Sequence, residues 1–159
     1  MKAPTSPALD PASVPDRNTS SYPEPLRRKC LGQSWKKLGD ACGLKNFGVN
    51  LVTLPPGVQS SLRHWHTHED EFVYILSGVA TLRSDAGEQQ LTAGMCAGFP
   101  AGSEDGHCLV NRSSQPVIYL EMGDRNPADH CYYTDDDLLL LESNGKTISV
   151  HKDGTPYPE

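Results

Sequence analysis

The chain lacks a basic surplus: 14 Lys and Arg stand against 20 Asp and Glu, for a net charge of −6. Neutralising a phosphate backbone or an anionic bilayer requires the opposite balance, so neither nucleic acid nor membrane is an expected partner. Long apolar runs are missing too. "FVYIL" (72–76) and "DDLLLL" (136–141) are of strand or short-helix length, far below the roughly 20 residues of a membrane span. "MKAPTSPALDPASVP" has no apolar core of the kind a secretory signal needs, and the expected location is the cytoplasm. Cysteines number five, at 30, 42, 96, 108 and 131, an odd count without a C-x-x-C pair. That pattern suggests neither a disulfide framework nor a thiolate zinc site; reduced, buried thiols are expected, with Cys108 singled out only by its neighbour His107.

What is present is β-patterned. Alternating apolar segments occupy 48–54, 60–66, 71–77, 79–83, 88–91, 107–111 and 116–122. They are separated by turn chemistry such as "PPG", "DAG", "TAG" and "PAG". Short strands at near-regular spacing without a sustained helical period predict an all-β sandwich or barrel. Residues 1–21 are rich in Pro, Ser, Thr and Ala and predict a flexible arm. Residues 22–159 are then a single domain with its core barrel at about 46–123, long enough to fold without a metal. "DDDLLLLES" (135–143) is the one helix-compatible stretch, and its leading acids suit a helix N-terminus.

Nine residues, "RHWHTHEDE" (63–71), concentrate imidazole and carboxylate. On a strand, alternate residues share a face, so Ser60, Leu62, His64 and His66 point one way and Arg63 and Trp65 the other. Trp65 is expected to pack outside the barrel. Glu71 lies out of phase with His66 unless the chain bends at "THED", whose residues favour turns. After that bend Glu71, Val73 and Ile75 share a face, and an inward carboxylate there is costly unless it is paired or metal-bound. Further on, His107 opens a strand with Leu109 and Asn111 on its face. Three imidazoles and a carboxylate suit iron, manganese, nickel, cobalt, copper or zinc. His68 falls inside the bend and is set aside as a ligand.

Residues 57–78, "GVQSSLRHWHTHEDEFVYILSG", resemble the first cupin motif, and 94–111, "GMCAGFPAGSEDGHCLVN", resemble the second. The wider run 22–157 resembles small single-domain bacterial cupins, or monocupins. Two spacers depart from the family pattern, with six residues between Gly57 and His64 and four between Gly102 and His107; both fall in loops, where insertion is cheap. The resemblance implies a double-stranded β-helix, or jelly-roll barrel, and one divalent transition metal ion held by His64, His66, Glu71 and His107. Glu71 is the candidate acid/base, and Leu62, Val73, Ile75, Leu109 and Asn111 are the candidate substrate-pocket residues.

A metal-dependent enzyme acting on a small oxygen-rich organic molecule, by oxygenase-like or lyase chemistry, is expected first. Sugar or sugar-phosphate isomerisation ranks lower, because the inward faces offer no Lys or Arg to a phosphate. A non-catalytic small-molecule or metal-binding module is the alternative from another class. Edge strands and Trp65 point to a homodimer. Asn111 is expected to hold a water near the metal or to end a strand, and Arg125 to lie in a solvated turn or reach over a barrel mouth. Asp129, Tyr133, Asp135 and Asp137 are expected to cap the C-terminal helix or line a rim, while His130 and His151 are expected to be exposed.

Overall fold

The computed structural model describes residues 7–143 and 146–158. The strands are β1 (Ser34–Lys37), β2 (Phe47–Leu54), β3 (His64–His66), β4 (Glu71–Ser77), β5 (Val79–Ser84) and β6 (Gly87–Thr92). They continue with β7 (Cys96–Phe99), β8 (Cys108–Val110), β9 (Val117–Asp124), β10 (His130–Tyr133), β11 (Leu139–Ser143) and β12 (Lys146–Val150). A one-turn helix α1 (Leu38–Ala41) follows β1, and two short 3-10 turns precede it.

One sheet runs β1-β2-β9-β4-β7; facing it are β6-β5-β8 and β12-β11-β10-β3, every pairing antiparallel. A bridge between His64 and His107 joins the last two sheets into one surface: the backbone of each donates to the other, at 3.1 and 2.9 Å. The fold is thus an all-β jelly roll. Its main core lies between the two faces, built from inward residues of β2, β4, β5 and β9 such as Val52, Leu54, Ile75, Leu82, Val117 and Tyr119. Burying a residue of this size contributes about 1.5–3 kcal/mol.

Two glycines set the geometry. Between β4 and β5, Gly78 has φ +82°, and a Cβ there would lie 2.6 Å from the Pro116 carbonyl oxygen. Gly106 lies against Thr134, whose Oγ1 and Cβ would be 1.9 and 2.9 Å from an added Cβ. That contact seats the β8 entry against the end of β10.

The C-terminal stretch corrects an expectation. Residues 139–143 form β11, hydrogen-bonded to β10 and β12, and not a helix. Four consecutive leucines fit either period, and the neighbouring edge of β10 supplies partners that an isolated helix would lack. Leu138 and Tyr133, together with Leu26, Cys30, Leu62 and Cys131, build a second core beneath this hairpin. Within the segment expected as an arm, Arg17 pairs with Trp35 through backbone hydrogen bonds of 2.8 Å, and Lys36 Nζ donates to the Val14 carbonyl. No described helix is long and apolar enough to cross a membrane.

Candidate metal centre

The bend at residues 67–70 exists, and it lets Glu71 start β4 on the inner face beside β3. The three imidazole Nε2 atoms converge on one atom, Glu71 Oε2, from His107 at 3.0 Å, His64 at 3.3 Å and His66 at 3.6 Å. Ligand atoms in adjacent positions on an ion with bonds of about 2.1 Å stand about 3.0–3.4 Å apart; His64, Glu71 and His107, whose ligand atoms all lie within 4.8 Å of one another, form one such group, and His66 joins it through Glu71 Oε2.

The outer ring nitrogens sharpen the fit. His64 Nδ1 lies 2.9 Å from the Leu62 carbonyl oxygen, which can only accept, so Nδ1 carries the proton. His66 Nδ1 lies 2.5 Å from Asp129 Oδ2 and is likewise the donor. In their neutral forms His64 and His66 therefore aim Nε2 lone pairs at a carboxylate oxygen, an arrangement that repels unless protons or a cation lie between them. The donor set fits a divalent transition metal. His107 is packed under Phe99, rings parallel with centroids 3.5 Å apart, and its buried Nδ1 has no hydrogen-bond partner among the described residues.

Electrostatics follow from this crowding. Burial alone would raise Glu71, yet hydrogen bonds from His107 and His64 hold its carboxyl well below the usual range. Burial would lower His64, but the Glu71 carboxylate outweighs it and the imidazole titrates above its ordinary value. His107 is pushed down, with burial prevailing over Glu71.

Two neighbouring clusters also bring possible ligand atoms within 4.8 Å of one another: His64, His66 and Cys131, and His66, Glu69 and Asp129. Burial pushes the Cys131 thiol up, so it stays protonated and is a poor ligand. Asp129 is occupied by His66, by the backbone N–H of His68 and by the Thr67 hydroxyl.

Among the pocket candidates, Val73 and Leu109 do line a small void beside His64, Glu71 and His107. Leu62 does not: residues 60–63 are a bend and not strand, so face parity stops there and Leu62 turns into the second core. Ile75 is wholly enclosed in the main core. Asn111 is a loop anchor, donating to the Leu54 and Gln115 carbonyls and accepting from the Ser113 N–H. Trp65 stacks on Tyr132, centroids 4.7 Å apart, and lines a cavity shared with His66 and His107. Arg63 turns away, to Asp85 and Asp135, and Arg125 is tied to Asp40. His130 is only partly exposed on β10; His151 is held by Asp137 at 2.8 Å.

Of the cavities that reach Glu71, two larger ones flank the histidines. One, of about 410 Å³, is lined by Trp65, His66, Glu69, Phe99 and His107. The other, about 230 Å³, lies on the His64 side beneath Tyr22, Gln33 and Trp35, and reaches Asn50 and Glu121. The sequence singles out neither Glu121 nor Asn50, and Asp129 only as a helix cap or rim residue; each meets the site through strand pairing across dozens of residues.

With fold and site described, the chain can be placed. A family model for the cupin domain matches residues 50–123. The crystal structure of a cupin-superfamily protein from Silicibacter pomeroyi, named a sugar phosphate isomerase, is 43% identical, with 96% of this chain and 97% of that one covered at a TM-score of 0.92. A protein from Acidithiobacillus ferrooxidans, provisionally named a sugar phosphate isomerase, is 29% identical over 84% of this chain and 85% of that one, TM-score 0.75. One from Thermotoga maritima, named a predicted oxalate decarboxylase, shares the fold at 20% identity, covering 75% and 99%, TM-score 0.61. No curated protein sequence matches. The chain belongs to the cupin superfamily, and it is similar to single-domain bacterial members.

Proposed function

We propose that this cupin is a metal-dependent enzyme acting on a small, oxygen-rich organic molecule. The observation that carries it is the convergence of three Nε2 atoms on Glu71 Oε2, with two of the outer ring nitrogens committed as donors. His64, His66, His107 and Glu71 would hold the ion; a divalent transition metal there supplies a Lewis acid for a carbonyl or hydroxyl oxygen. Glu71, kept ionised by its histidines, is the acid/base candidate. The Leu62 carbonyl and Asp129 fix two rings, and the two flanking cavities admit a small molecule. Oxygenase-like or lyase chemistry stands first. Sugar isomerisation stands second, supported by the name of the Silicibacter pomeroyi relative; the two flanking cavities offer no Lys or Arg to a phosphate, and Arg125 lines a third, beside His66 and Asp129.

Elemental analysis of the purified protein and of His66→Ala and Glu71→Ala tests the metal: both variants are expected to lose it, and wild-type metal content in both overturns the assignment. Oxygen uptake and product formation against diketones, diols, carboxylates and sugars then separate the reaction classes. Tight binding without turnover would assign a binding module instead. We further infer self-association through the outer sheet face, where Phe72, Tyr74 and Leu76 of β4 stand exposed beside Phe47.

A further inference from the structure

Glu121 is a carboxylate without a structural reason for its position. It sits in β9, a central strand of the five-stranded sheet, directly opposite Asn50 of β2 on one side and Val73 of β4 on the other. Its side chain is partly buried and points with Val73 toward the inside of the barrel. Asn50 Nδ2 donates to Oε1 at 3.0 Å; Oε2 has no protein partner among the described residues. A carboxyl group facing inward in a central strand with a single protein hydrogen bond is costly unless water or a ligand reaches its other oxygen.

What surrounds it is a chamber. Its volume is about 230 Å³, below the roughly 300–1,000 Å³ of drug-sized pockets. His64 and Glu71 of the metal-ligand set form one end and the Glu121–Asn50 pair another. Ser60 and Ser61 add hydroxyls. Tyr22 and Trp35 add aromatic walls suited to the C–H faces of a compact polyol. Gln33 closes the roof, its amide donating to the Ser60 carbonyl at 2.6 Å. No Lys or Arg lines it, and two of its lining residues are carboxylates.

We propose that the Glu121–Asn50 pair is the ligand-reading element of this chamber, selecting a small uncharged, hydroxyl-bearing molecule and rejecting its phosphate ester. The proposal rests on the metal-site function above and specifies its substrate class. A free carboxylate oxygen accepts from a ligand hydroxyl, the Asn50 amide holds the other oxygen in place, and the hydroxyl groups of Ser60 and Ser61 complete the set. With a divalent ion held at His64 and Glu71, its two positive charges are balanced by the Glu71 and Glu121 carboxylates; with no Lys or Arg on the lining, a phosphate dianion would gain no net attraction and would be repelled by Glu121.

Isothermal titration calorimetry with D-ribose and D-ribose 5-phosphate as probes tests this on the full chain, with metal content measured on the same samples. The sugar is expected to bind at least about tenfold tighter than its phosphate ester. Glu121→Gln is expected to bring the two within about threefold, chiefly by admitting the ester. Tighter binding of the ester by the wild type, an unchanged ratio in Glu121→Gln, or no D-ribose binding at all would each overturn the proposal. Should Glu121→Gln fail to fold, Asn50→Ser removes the bond that orients the carboxylate; about a tenfold loss of D-ribose affinity is expected, and unchanged affinity overturns the idea. A wild type that shows the expected preference yet carries no metal would sink the metal assignment while leaving the pair's role standing.

Discussion

Asp129 of the loop before β10 and His66 of β3 are joined by a 2.5 Å hydrogen bond from His66 Nδ1 to Asp129 Oδ2, although 63 residues separate them in the chain. The carboxylate also accepts from the His68 N–H at 2.8 Å and the Thr67 hydroxyl at 3.3 Å, which fixes its own orientation. Burial would raise its pKa, but these donors, His66 foremost, hold it below the usual value. It is thus charged at neutral pH and keeps the His66 proton on Nδ1, leaving Nε2 free to coordinate.

Asp129→Asn should therefore weaken metal binding about 10- to 100-fold, the range seen when an outer partner of a ligating histidine is lost. An amide can rotate to present its NH₂ to Nδ1 and reverse the tautomer, so the isosteric change is informative. Competition with a chelator of known affinity measures it. Affinity within twofold of wild type would show that Asp129 does not position His66.

Gly106→Ala should destabilise the fold by about 1–3 kcal/mol, as overpacking does. The new methyl would meet the Thr134 side chain at the crossing where the Thr134 N–H donates to the Arg63 carbonyl, 3.0 Å. Arg63 and Gly106 directly precede His64 and His107, so metal affinity should fall with stability. Denaturant unfolding of metal-stripped protein measures the first, and chelator competition the second. A neutral substitution would mean that Thr134 repacks without cost.

The part of the site carried by one short stretch was legible in the sequence: alternation places His64 and His66 together, and a turn-prone "THED" returns Glu71 to the same side. His107 was legible because its strand opens on a turn. Strands with apolar alternation, such as 71–77 and 79–84, were legible for the same reason. Leu62 and Asn111 lie off the void beside the histidines because parity holds only within a strand, and both sit where a strand has not begun or has just ended. β11 was hidden because its four leucines carry no period, and Asp129 and Glu121 because their roles depend on registers between strands far apart in the chain.

Phe72, Tyr74 and Leu76 alternate along β4 on the outer face of the sheet, each more than a third exposed, with Met95 beyond them. An exposed apolar row of this kind marks an interaction surface. Replacing Phe72 and Leu76 with Glu should halve the mass measured by light scattering while leaving the circular dichroism spectrum intact, since neither side chain enters the core. A wild type already monomeric at about 100 μM would remove this interface; that concentration lies well above a micromolar dissociation constant.

Glu71 and His64 give metal-stripped stability a dependence on pH with two limbs. The Glu71 carboxyl is held well below its ordinary value, so its contribution is present above that value and lost as pH falls through the depressed one. The His64 imidazole is raised, so its contribution is complete below the ordinary histidine value and lost as pH rises through the raised one. Against Glu71→Gln, which removes the charge that perturbs both, wild type should show its largest advantage between the carboxylate and imidazole ranges, with the advantage shrinking on either side. Thermal midpoints of both proteins, measured in chelator from about pH 3 to about pH 9, test this. A difference that stays flat across that interval would mean that the two groups do not form a charged pair in the metal-free protein.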